Sequence, residues 1–165
     1  MQRAVFLWSF LVVTVVVTGR PASAMAPCAW LTPAQVAAAL GAEVSETQEK
    51  KNMYTGKPSG CVYSTEDVMR FVVLDAYERP TDTAAQQLFA QITERAAELP
   101  GGNKSDIMPV ARLGDEAANV GNVLFVRKGQ IVIALTVFAG GKTQTTTPEG
   151  FAKAESLIRG AWDRI

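Results

Sequence analysis

Histidine is absent from this chain of 165 residues, and cysteine occurs only twice. The lack of histidine removes the commonest general base, the commonest metal ligand and the usual partner of a nucleophilic serine or cysteine. Ordinary zinc sites need cysteine or histidine in numbers that this chain lacks. We therefore expect no metal site and no cofactor, and we expect that the protein is not an enzyme.

The chain also lacks an excess of charge of either sign, because 16 basic residues balance 16 acidic ones. This balance gives no basic footprint for nucleic acid or for anionic lipid. No segment after residue 24 is apolar for long enough to span a bilayer. We predict that nucleic acid is not a partner and that the mature chain has no membrane span.

The N-terminus has the layout of a secretory signal peptide. Arg3 supplies a basic start, residues 4–18 carry no charge, Gly19-Arg20-Pro21 breaks the helix, and Ala22-Ser23-Ala24 is a small-residue cleavage site. This layout predicts cleavage after Ala24. It also predicts export, to a secreted, periplasmic or cell-envelope location.

Two other interpretations of the N-terminus are weaker. An uncleaved anchor is disfavoured because the apolar run has about 15 residues, whereas a spanning helix needs roughly 20. A lipoprotein is disfavoured because Ala26-Pro27, rather than a cleavage site, directly precedes Cys28. Residues 1–24 are thus interpreted as a signal peptide and residues 25–165 as a single exported domain, which is long enough for a core.

Cys28 and Cys61 are the two cysteines of the chain. An even pair in an exported protein predicts a disulfide, and two cysteines allow one intramolecular connectivity. A loop of this size should stabilise the fold by roughly 3–4 kcal/mol on the chain-entropy model. The alternative is a redox pair, which the absence of Cys-x-x-Cys spacing disfavours.

Three amphipathic helices are predicted. The first begins at Thr32-Pro33 with a capping box completed by Gln35, and it ends at Gly41. The second covers about residues 83–99 and the third about residues 148–162, each with apolar residues at helical spacing.

The strands are predicted in two adjacent pairs. Residues 61–65 and 68–78 form the first pair, and a hairpin over residues 122–139 forms the second. Within residues 43–60, residues 44–47 are a candidate start of a strand and the rest is predicted to be a polar loop, and residues 103–120 are predicted to be irregular. The order α-β-β-α-β-β-α predicts an α+β fold, with an antiparallel sheet, helices packed mainly on one face and one disulfide.

The second hairpin has a predicted register. A two-residue turn at Lys128-Gly129 would pair Arg127 with Gln130 and Val126 with Ile131. The residues predicted to share the better core face are Leu124, Val126, Ile131, Ile133, Leu135 and Val137.

Two pairs of adjacent acids, Glu66-Asp67 and Asp115-Glu116, are the only candidates for carboxylate chemistry that we single out. Two carboxylates can hydrolyse a glycosidic bond when they face each other across a substrate. Adjacent residues point apart on a strand and usually mark a solvated turn, which is the interpretation that we favour.

Three residues are the candidate ligand-binding or partner-binding site. Tyr54 lies in a polar loop, where a core role is less natural for an aromatic side chain. Trp30 could also line a pocket or a partner surface. Arg70 interrupts an apolar strand, where it either pairs with an acid across the sheet or faces a cleft and binds an anion.

Several short motifs resemble a family of actinobacterial exported proteins and lipoproteins built on a domain of unknown function. The motifs are Pro27-Cys28, Leu31-Thr32-Pro33-Ala34-Gln35-Val36, Leu40-Gly41, Gly60-Cys61-Val62-Tyr63 and Leu113-Gly114-Asp115-Glu116-Ala117. The resemblance implies an envelope binding or sensor-like domain and transfers no catalytic residues.

The function hypothesis is therefore an exported, non-enzymatic cell-envelope domain that binds a small ligand or an envelope protein. One alternative is a proteinaceous inhibitor that inserts a loop into the active site of an envelope hydrolase. Another is a hydrolase that uses carboxylates alone.

Overall fold

The computed structural model describes residues 25–98, 107–139, 142–143 and 148–165. The predicted signal peptide, the end of the predicted second helix and most of the loop after the second hairpin lie outside these residues. The helices are α1 (Pro33–Leu40), α2 (Asp82–Glu98) and α3 (Pro148–Ala161). The strands are β1 (Glu46–Lys51), β2 (Pro58–Ser64), β3 (Arg70–Glu78), β4 (Ile107–Pro109), β5 (Glu116–Val120), β6 (Val123–Lys128), β7 (Ile131–Ala139) and β8 (Lys142–Thr143).

The described strands form one antiparallel sheet in the order β1-β2-β3-β7-β6-β5-β4, and β8 pairs with the end of β7. The long strand β3 pairs with β7 along its whole length, from Arg70 opposite Ala139 to Glu78 opposite Ile131. The predicted α+β fold with an antiparallel sheet is confirmed.

The helices lie on both faces of the sheet, two on one and one on the other. Helices α1 and α3 cover the main core, whose larger members include Leu31, Val36, Tyr63, Leu74, Leu124, Val126, Ile133, Leu135 and Ile158. Helix α2 covers a smaller core on the opposite face, over β5, β6 and β7, formed by Ala97, Ala118, Val120, Phe125 and Ala134. The predicted core face of the second hairpin is the one that faces α1 and α3.

The start of α1 has the predicted capping box. The Thr32 hydroxyl accepts a hydrogen bond from the Gln35 N–H (3.2 Å), and the Gln35 side-chain oxygen accepts one from the Thr32 N–H (2.9 Å). Pro33 occupies the first helical position and Gly41 ends the helix. These contacts satisfy backbone N–H groups that the first turn of a helix leaves without partners.

The predicted disulfide joins Cys28 to Cys61 with the two Cα atoms 5.0 Å apart. Beside it, the hydroxyl of the buried Tyr63 lies 3.1 Å from the Cys28 carbonyl oxygen and 3.0 Å from that of Leu31. The bond and this hydroxyl together fix the segment before α1 against β2.

Three sequence-based expectations about strands are wrong. Strand β1 overlaps the candidate segment 44–47 but extends to Lys51, into the predicted polar loop, and part of the irregular segment over residues 103–120 is the pair β4 and β5. The turn of the second hairpin is at Gly129-Gln130, so Lys128 pairs with Ile131 and not Arg127 with Gln130. Gly129 has a φ of 54°, which the first central position of a type II′ turn requires.

The error in the turn leaves the faces of the hairpin unchanged. The pairing moves by two residues, and side chains in a strand alternate with a period of two. The apolar residues predicted to share the core face therefore still share it.

Candidate functional site

The three residues proposed from the sequence lie in different parts of the structure and differ in exposure. Tyr54 is 88% exposed, in the turn that joins β1 to β2. Trp30 is 5% exposed and belongs to the main core, so it offers no surface to a partner. Arg70 begins β3 at the opposite end of β2 from Tyr54, and its Nη1 lies 3.4 Å from the Gly41 carbonyl oxygen.

The turn between β1 and β2, residues 51–57, is called the hairpin tip below. The Asn52 side-chain oxygen accepts hydrogen bonds from the N–H groups of Tyr54 (2.9 Å) and Thr55 (3.1 Å). The Gly56 N–H donates to the Asn52 carbonyl (2.8 Å), and the Asn52 N–H donates to the Lys57 carbonyl (2.9 Å). Asparagine favours such turns because its side chain satisfies backbone N–H groups two and three residues on.

The hairpin tip presents two large apolar side chains to solvent. Met53 is 86% exposed and Tyr54 is 88% exposed, the two highest values among the exposed large hydrophobic residues described. Lys51 and Lys57 are exposed on either side of them. Single exposed apolar residues are ordinary, whereas two adjacent ones on a hydrogen-bonded turn make the hairpin tip a candidate contact surface.

A second exposed apolar pair, Val68 and Met69, lies in the turn between β2 and β3, at the other end of β2. They are 66% and 54% exposed. Val68 has a φ of 48°, a left-handed conformation that costs a β-branched residue about 1–3 kcal/mol. The Thr65 hydroxyl and the Met69 N–H both bond the Asp67 carboxylate and hold this turn in place.

The acidic pairs are held by contacts of their own. Asp115 and Glu116 both bind Arg127, at 3.1 Å and 2.7 Å. The hydrogen bond from Thr65 is the largest cause that lowers the pKa of Asp67, which keeps this carboxyl ionised. A general acid needs a raised pKa instead. The described residues include no cluster of three or more groups that could hold a metal ion.

The comparisons with known proteins identify the fold. The extracellular domain of PknH from Mycobacterium tuberculosis, known from a crystal structure, is similar with a TM-score of 0.56 and 12% sequence identity. The match covers 87% of this chain and 98% of that domain. At this identity the likeness shows the fold alone. No family model and no curated protein matches the sequence.

Sequence reasoning found one residue of the hairpin tip and missed the others. The signal was present in Asn52-Met53-Tyr54-Thr55-Gly56, since asparagine and glycine four residues apart are turn residues. The adjacent strand β1 was expected only as a candidate start over residues 44–47 and not as far as Lys51, so the turn could not be placed at the end of a hairpin. Nothing in the sequence indicates the left-handed backbone of Val68, because β-branched residues rarely adopt it.

Proposed function

We propose that this chain is an exported domain that acts by binding in the cell envelope, and that it belongs with the actinobacterial exported proteins and lipoproteins that its motifs resemble. The similar fold is that of an extracellular domain. The Cys28–Cys61 disulfide supports export, since such bonds persist in oxidising compartments. No helix of the described residues is long and apolar enough to cross a membrane. The proposed location is secreted, periplasmic or bound to the envelope.

The observation that carries the proposal is the hairpin tip. Adjacent Met53 and Tyr54 side chains are nearly fully exposed on a turn that Asn52 holds in one conformation. A preorganised turn loses little conformational entropy on binding, so its contacts convert efficiently into affinity. The binding partner is an envelope protein or a small ligand, and Arg70 with the neighbouring Val68-Met69 turn is a second contact region.

A proteinaceous inhibitor is the second candidate function. An ordered, projecting turn with an exposed aromatic side chain is the shape that enters the active site of a hydrolase. A carboxylate-only hydrolase has less support, because Arg127 binds one acidic pair and Asp67 of the other is held ionised.

Affinity capture from an envelope extract, followed by mass spectrometry, tests the proposal. The bait is the exported protein, whose intact mass should correspond to Met25 as its first residue. We expect an envelope component that the wild type and Met108→Ser both capture and that Met53→Ser/Tyr54→Ser does not. Such a component would be the partner of the hairpin tip. Met108 is a suitable control because it is 55% exposed on β4, at the other edge of the sheet. Equal capture by all three proteins would contradict a role for the tip.

A further inference from the structure

The charge and the exposed side chains of the hairpin tip together point to a lipid partner. We infer that the tip docks onto the surface of an anionic lipid bilayer, an inference that rests on the proposed function. The partner class is thus a membrane carrying acidic phospholipid, and the contact is peripheral.

The tip is a cationic end on a chain with no net charge. Residues 51–57 contain two lysines and no acidic residue, and the exposed Glu49 precedes them on β1. Lys50 forms an ion pair with Asp75, whereas Lys51 and Lys57 are exposed and have no ion-pair partner among the described residues. The overall charge balance predicts no lipid-binding footprint, but it does not describe this local concentration of positive charge.

The apolar side chains lie where a membrane contact needs them. Tyrosine favours the membrane–water interface, where its ring is apolar and its hydroxyl remains hydrated. Methionine next to it can enter the boundary of the acyl chains. Lysine side chains extend their ammonium groups toward the headgroups while their methylene stems cover apolar surface. Met53 and Tyr54 lie within the turn, and the exposed Lys51 and Lys57 flank them in the chain at its two ends.

A bilayer fits the tip better than a protein pocket does. Methionine and tyrosine are enriched in protein–protein interfaces but lysine is depleted there, so the two exposed lysines are the feature of the tip that favours lipid over protein. A specific protein interface also buries about 800 Å² on each partner, and two large side chains on a short turn provide only part of this area. A fluid bilayer requires no complementary shape, and electrostatic attraction to acidic lipid adds to the burial of Met53 and Tyr54.

Co-sedimentation with phospholipid vesicles tests the inference. The exported protein is mixed with vesicles of phosphatidylglycerol and phosphatidylcholine in equal parts, and with vesicles of phosphatidylcholine alone. The wild type should bind the anionic vesicles at least tenfold more tightly than the neutral ones, and added salt should weaken this binding. Lys51→Gln/Lys57→Gln should weaken it by roughly fivefold per lysine, and Met53→Ser/Tyr54→Ser should weaken it at least tenfold. Met108→Ser should bind like the wild type.

Two results would overturn the lipid assignment. One is a wild type that does not bind the anionic vesicles, and the other is equal binding by the wild type and both tip variants. If capture of an envelope protein still depends on the tip, the lipid assignment alone is wrong and the tip binds protein. If neither vesicles nor any envelope component depends on the tip, the proposed function fails as well. All variants should melt with the wild type, since the substituted side chains are exposed.

Discussion

Removing the Cys28–Cys61 disulfide should lower the free energy of unfolding by about 4–5 kcal/mol. The bond spans a sequence separation of 33, for which the chain-entropy model gives about 4 kcal/mol. Cys61 is also fully buried, so Cys28→Ala/Cys61→Ala leaves a small cavity that costs about 1 kcal/mol more. Domains are typically stable by about 5–15 kcal/mol. The double variant should therefore fold, with little stability to spare.

Urea unfolding, followed by tryptophan fluorescence and far-ultraviolet circular dichroism, measures this loss. With a slope of about 2 kcal/mol per molar urea, the midpoint should fall by roughly 2 M. The reduced wild type separates the two contributions, because it lacks the cross-link but keeps both sulfur atoms. Its midpoint should lie between those of the oxidised wild type and the double variant. Reductant added to the double variant should change nothing.

The reasoning about the disulfide would be refuted if the reduced wild type and the double variant both unfold at the midpoint of the oxidised protein. Thiol labelling tests whether the bond is present at all. Two thiols per chain labelled under denaturing conditions, without reductant, would show that the bond is absent from the exported protein.

Three further predictions use the same urea assay. The free energy of unfolding should fall by about 2 kcal/mol as the pH rises from 10 to 12, because burial raises the pKa of Tyr63 to about 12 while the unfolded chain ionises near 10. This contribution is fully present well below pH 10, and a Tyr63→Phe variant with the same pH dependence would contradict the assignment. Val68→Gly should raise stability by up to about 1 kcal/mol, since relief of the strained φ exceeds the entropic cost of glycine, and a loss would show that Val68 is not strained. Gly114→Ala should cost more than about 2 kcal/mol, because φ is 69° and a Cβ would lie 2.3 Å from the Arg127 carbonyl oxygen; a wild-type midpoint would show that the backbone adjusts freely there.

Local signals predicted the parts of the fold that depend on neighbouring residues. The capping box of Thr32 and Gln35 and the alternation of residues 122–139 involve residues close in sequence, and both were interpreted correctly. The disulfide followed from two cysteines and an export signal. The exchange of Lys128-Gly129 for Gly129-Gln130 shows the limit of this reasoning, since glycine suits either central position of a two-residue turn.

The full extent of β1, and β5 as a whole, could not be predicted because tertiary contacts define them. Strand β1 has a mostly exposed edge position, so its polar residues do not alternate with apolar ones. Gly60 in β2 resembles a turn signal, but a Cβ there would lie 2.5 Å from the Leu74 carbonyl oxygen. Strand β5 contains two alanines and Asn119, which have low strand propensity, and its position between β4 and β6 overrides that propensity.

The candidate site was predictable only in part for a similar reason. An aromatic residue in a polar turn indicated Tyr54, and the structure places that side chain in solvent. The same reasoning failed for Trp30, whose burial depends on how the segment before α1 packs against the sheet. Residue type alone does not distinguish an aromatic side chain in the core from one at a contact surface.

Retention on a preparation of intact cell envelopes tests the central claim most directly, because it measures binding by the hairpin tip whatever the class of partner. The exported wild type, Met53→Ser/Tyr54→Ser and Met108→Ser are each titrated with envelopes, and the bound fraction is measured. The account predicts at least tenfold weaker retention for the tip variant and wild-type retention for Met108→Ser, with equal melting temperatures for all three. Equal retention of the wild type and the tip variant would contradict the account.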